Sequence, residues 1–136
     1  MTENNAAIPR SFRIVSGAAL VWNVIGINSY IMQVTMTEEA FLALPEAQRA
    51  LYENIPTWAT AAYAIAVNAG VVGSLLLLFK SSWALPVFVQ MFHGFVVANL
   101  LEVLGPISAI LPSMIIAVGL ALVWYARAVK EKGWIS

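Results

Sequence analysis

Residues 54–79 read NIPTWATAAYAIAVNAGVVGSLLLLF, and none of these 26 side chains is charged. A helix crossing the hydrocarbon core of a bilayer needs about 20 such residues. The charges divide the rest of the chain in the same way. Between Arg13 and Glu38 lie 24 uncharged residues, between Lys80 and Glu102 lie 21, and between Glu102 and Arg127 lie 24. Each interval supplies one span and none is long enough for two. The spacing predicts helices near 14–36, 57–79, 83–104 and 106–126, with an outer loop over 37–56. A membrane barrel needs about eight or more strands, so strands are not expected.

Prolines and serines punctuate these spans. Pro56 precedes the second and Pro106 opens the fourth, where a missing N–H costs little. Gly105-Pro106 forms a tight turn between the last two. Ser81 or Ser82 caps the third helix. Pro112 lies inside the fourth span, where a kink is expected because neighbouring helices can satisfy the freed carbonyl.

Composition points the same way. The chain has 136 residues, the length of one domain. Hydrophobic residues make up 61% and charged residues 10%, with a mean hydropathy of +0.83. Soluble domains carry about a quarter charged residues, so lipid is the expected solvent. Seven basic and seven acidic residues cancel, which gives no electrostatic reason for a nucleic-acid partner. The chain has no cysteine and a single histidine, so disulfides, thiolate sites and His-cluster metal sites are excluded within one chain. No cofactor is expected. Arg10 and Arg13 precede an apolar run, as in a signal peptide, but that run is too long for one and no small-x-small site follows it.

Basic residues set orientation. Arg10, Arg13, Lys80, Arg127, Lys130 and Lys132 fall on one side, and Arg49 alone falls opposite, among Glu38, Glu39, Glu46 and Glu53. Both termini and the Lys80 loop are therefore expected in the cytoplasm. Within loop 37–56, Thr37 is placed to cap one short helix and Pro45 to open another. Phe41, Leu42, Leu44, Leu51, Tyr52 and Ile55 make the loop amphipathic. It reads as a flap on the outer interface or as a lid over a binding site.

In lipid, small and polar residues mark helix contacts. The first helix carries Ser16, Ala19, Asn23, Gly26, Tyr30 and Gln33 at helical spacing. The second carries Ala59, Ala62, Ala66, Ala69 and Gly73, overlapped by Ala62, Ala66, Gly70 and Ser74. The fourth carries Ala109, Ser113, Ala117 and Ala121. At ~1.5 Å per residue, Asn23, Asn68, Gln90 and His93 share a depth near the bilayer centre. They are expected to converge, either as solute-binding groups with His93 as a proton carrier or as interhelical hydrogen bonds. Glu102 lies at the outer end of its span and is read as a solvated carboxylate. Phosphate loops, paired carboxylates and nucleophile–base spacing are absent, so an enzyme is not expected.

Three stretches carry a resemblance: Leu20-Val21-Trp22-Asn23 leading to Tyr30-Ile31-Met32-Gln33-Val34-Thr35-Met36; Ala43-Leu44-Pro45-Glu46-Ala47 through Leu51-Tyr52-Glu53 to Ile55-Pro56-Thr57-Trp58; and Trp124-Tyr125-Ala126-Arg127 to Lys132-Gly133-Trp134. Nearly the whole chain resembles a group of small four-helix bacterial membrane proteins that genome annotation labels "sugar transporter". That label implies solute transport in a bacterial inner membrane. The positions near His93 depart from the group's pattern, which favours Tyr there. The expectation is thus an all-α, integral membrane four-helix bundle with both termini inside and a short amphipathic interfacial helix. Two functions are open: a small polar-solute carrier acting as a homo-oligomer, or a non-catalytic accessory or scaffold subunit of a larger membrane complex.

Overall fold

The computed structural model describes the backbone of residues 7–100 and 110–136 and the side chains of 7–96 and 113–136. Among these residues all regular structure is helical: α1 Arg10–Val34, α2 Glu38–Leu42, α3 Glu46–Glu53, α4 Thr57–Leu78, α5 Ala84–Leu100 and α6 Ile110–Glu131. Three segments are long and apolar enough to cross a membrane: α1, α4 and Ser113–Glu131 of α6. The described apolar part of α5 is shorter, and the rest of the expected third span, 101–104, lies outside the described residues. Glu102, Gly105, Pro106 and Ala109 lie outside them too. So does Ser108, four residues before Pro112, where a proline kink would show.

Two boundaries differ from the expectation for one reason. α1 starts at Arg10 rather than 14, directly after Pro9 with its φ of −66°. α6 runs through Glu131 rather than stopping at 126. Charge marks where hydrocarbon ends, whereas a helix continues until its backbone is capped. Arg10 and Arg13 therefore sit within α1. Arg127 extends α6 and pairs with Glu131, Nε to Oε1 at 3.1 Å, one turn apart.

The loop folds as two short helices. The Thr37 hydroxyl accepts a hydrogen bond from the Ala40 N–H at 3.2 Å and caps α2. Pro45 opens α3 and its carbonyl accepts from Gln48 N–H at 2.9 Å.

α4 and α6 end alike. Lys80 has φ +61° and Gly133 has φ +72°. Behind α4, Ser81 N–H donates to Leu76 O and Lys80 N–H to Leu77 O, at 2.8 and 2.9 Å. Behind α6, Trp134 N–H donates to Val129 O and Gly133 N–H to Lys130 O, both at 3.0 Å. Both are left-handed caps that satisfy the last carbonyls. The two ends are joined by backbone: Ser82 N–H donates to Ser136 O at 2.9 Å and Ser136 N–H to Lys80 O at 3.0 Å.

The long helices pack in chain order, α1 on α4, α4 on α5 and α5 on α6. Glycines set the approach of α4 to α5. A Cβ on Gly73 would lie 2.8 Å from the Phe88 ring, and one on Gly94 would lie 3.1 Å from the Ala66 Cβ. Phe12 carries α1 to α6, stacked on Tyr125 at 6.5 Å and edge-on to Trp134 at 6.2 Å. Phe12, Leu77, Ala84, Phe88, Ala126, Val129 and Ile135 are buried together at this basic end. Among the described residues, Ala59 and Phe95 are the buried apolar side chains nearest the acidic end. Large apolar side chains, among them Ile14, Val21, Ile31, Ile65 and Leu120, face outward. In lipid that exposure carries no penalty.

Candidate functional site

The α1 stripe does pack inward at its first three positions: Ser16, Ala19 and Asn23 are buried. Gly26, Tyr30 and Gln33 are half-buried, with Gly26 against Val67 of α4. On α4, Ala59, Ala66, Gly70, Gly73 and Ser74 are buried and Ala62 is half-buried. These small residues are used within the chain, between α1, α4 and α5.

Asn23 is the polar centre of that contact. Its Nδ2 donates to Ala19 O at 2.8 Å and to Ser74 Oγ at 3.2 Å. Ser74 Oγ in turn donates to Gly70 O at 2.8 Å. Gly70 is needed because a Cβ there would collide with the Asn23 amide oxygen and lie 2.9 Å from Met91 Sδ. The missing side chain lets the amide sit directly on the α4 backbone.

The other three members of the expected polar layer are elsewhere. Asn68 is exposed and donates to Ala64 O of its own helix at 2.8 Å. Gln90 is exposed on α5. His93 is exposed, with Nδ1 3.0 Å from Val89 O. The four residues share depth but not direction. Helical phase sends Asn68 to the side of α4 away from Ala66 and Gly73, and sends Gln90 and His93 away from Phe88 and Met91. The expected convergence inside one chain is replaced by a buried Asn23–Ser74 pair and three outward polar side chains. Ser74 belongs to the small-residue series, but nothing in its spacing names Asn23 as its partner. Spacing gives the face of a residue, not which neighbouring helix it meets.

Ser16 is fully buried, and its Oγ has no hydrogen-bond partner among the described residues. The α6 series behaves differently from the other two. Ser113, Ala117 and Ala121 are all exposed, flanked by exposed Met114, Leu120 and Trp124. The opposite side of α6, with Gly119, Leu122, Ala126 and Val129, packs into the chain.

At the acidic end a cleft of about 590 Å³ opens where α1, α2, α3 and α4 meet. Gln33, Val34 and Met36 come from the end of α1 and the residues after it. Thr37, Glu38 and Phe41 come from the start of α2, Tyr52, Glu53 and Ile55 from the end of α3, and Thr60 from α4. One turn deeper, Tyr30 meets Tyr63 edge-on at 5.7 Å, and Tyr63 meets Phe95 at 6.1 Å. The amphipathic loop signalled this region. The positions of its carboxylates in the sequence give no sign of a shared cleft. Among the described residues, no group of three or more His, Cys, Asp or Glu side chains could hold a metal ion.

The chain matches no protein-family model, no curated protein and no solved structure.

Proposed function

We propose that this chain is a four-span membrane protein, with both termini cytoplasmic, that works as a non-catalytic assembly subunit. The observation that carries the reading is the outward face of α6. Ser113, Ala117 and Ala121 are exposed at four-residue spacing while the equivalent faces of α1 and α4 are buried or half-buried within the chain. Small residues at that spacing let another helix approach closely, and close packing is what joins helices in lipid. Six basic residues against one support the orientation. The lipid bilayer is the first partner and a transmembrane helix of another chain is the second. A bacterial inner membrane is the compartment the family resemblance implies.

Gentle purification of the native protein tests this. A stoichiometric larger membrane partner supports the reading, and a monomer with no partner sinks it.

A second reading, a polar-solute carrier built as a homo-oligomer, is favoured by one observation. Asn68, Gln90 and His93 project outward at mid-span, where lipid offers polar groups nothing. In an oligomer they would face a second copy and line a shared path. Purification as a homo-oligomer supports it. Solute uptake into liposomes by the wild type but not by His93→Ala or Asn68→Ala would then establish it, and equal uptake by all three removes those residues from a path.

A further inference from the structure

We infer that the cleft at the acidic end is a binding site for a small organic ammonium ion bearing an apolar group. The cleft is separate from the α6 face and does not depend on it. Its volume of about 590 Å³ suits a small ligand. Its lining divides into three chemistries. Glu38 and Glu53 supply negative charge from two different helices. Val34, Met36, Phe41 and Ile55 supply apolar wall, and Tyr52 an aromatic ring.

Charge selects the sign of the ligand. Among the described residues no lysine or arginine lines the cleft, and neither carboxylate is held in an ion pair. Arg49, the one basic residue of this loop, is on α3 but does not line the cleft. Two exposed carboxylates beside an apolar wall attract a cation and disfavour an anion. The ring selects its kind. An organic ammonium gains from the face of an aromatic ring, and Tyr52 supplies one in the lining. A bare metal ion would leave the apolar wall unused, and a three-carboxylate set is not on hand among the described residues. Gln33, Thr37 and Thr60 can hydrogen-bond a polar substituent.

The test uses the full chain in neutral maltoside micelles, with benzyltrimethylammonium as probe and calorimetric titration as readout. Saturable binding is expected, weakened roughly tenfold or more by Glu38→Gln with Glu53→Gln together, as loss of charge contacts requires. Glu131→Gln, at the far end of the chain, is expected to bind as the wild type does. Benzyl alcohol, which keeps the ring and lacks the charge, is expected to bind at least tenfold more weakly than the cation. Absence of saturable binding, equal binding by the double variant with an unchanged melting temperature, or equal binding of benzyl alcohol would overturn the inference. Repeating the titration in nanodiscs with and without phosphatidylethanolamine names the natural source. Competition by that lipid assigns the site to a lipid headgroup, and its absence assigns it to a soluble amine, with the ammonium chemistry upheld in either case.

Discussion

The Asn23 amide of α1 donates to the Ser74 hydroxyl of α4 at 3.2 Å, and Ser74 passes a hydrogen bond to Gly70 O. This is a polar contact between two apolar helices, buried and directional. Asn23→Ala and Ser74→Ala are each expected to lower stability by ~0.6–2 kcal/mol, the range for interhelical hydrogen bonds in membranes. Because the two groups share one interaction, the double variant should lose less than the sum of the single losses. Unfolding in mixed micelles measures all three.

Gly70→Ala places a methyl group on the Asn23 amide oxygen and against Met91 Sδ. A loss of ~1–3 kcal/mol is expected for that overpacking. In an Asn23→Ala background the amide is gone, so the same substitution should cost clearly less. The same unfolding assay checks the difference.

Ser16 gives the contrasting case. It is as buried as Ser74, but its hydroxyl has no partner among the described residues. Ser16→Ala removes an unsatisfied group and is expected to change stability by less than ~0.5 kcal/mol or to raise it. A loss comparable to that of Ser74→Ala would refute this account of the stripe.

Much of this pairing was legible in the sequence, and part of it was not. The stripe from Ser16 to Gln33 identified the inward face of α1, since helical phase fixes direction. Depth alone does not predict convergence, and Asn68, Gln90 and His93 face away from the packed interior. Shared depth says nothing about which side of a helix a residue occupies. α1 and α6 outrun the uncharged intervals because charge marks the limit of hydrocarbon and not the end of a helix. Pro9 and Gly133, the residues that cap the backbone, were the better signals. The cleft was foreshadowed by the amphipathic loop, but its lining comes from four helices, and only tertiary structure brings Gln33 and Thr60 beside Glu53.

The two left-handed caps make opposite predictions. Gly133 has φ +72°, so Gly133→Ala is expected to cost ~1 kcal/mol. Lys80 holds φ +61° with a side chain, so Lys80→Gly is expected to gain up to ~1 kcal/mol, less the entropy that glycine adds to the unfolded chain. Thermal unfolding of both variants, compared with wild type, gives the two signs.

The α6 face is tested most directly from its rim. The chain has no cysteine, so a single one placed at Leu120, exposed beside Ala117 and Ala121, can be labelled alone with benzophenone maleimide in native membranes. Ile65, similarly exposed on α4, serves as the comparison. On irradiation, the Leu120→Cys protein is predicted to give a discrete higher-mass protein adduct that the Ile65→Cys protein does not give. Lipid adducts alone from both positions, or the same protein adducts from both, would contradict assembly through α6.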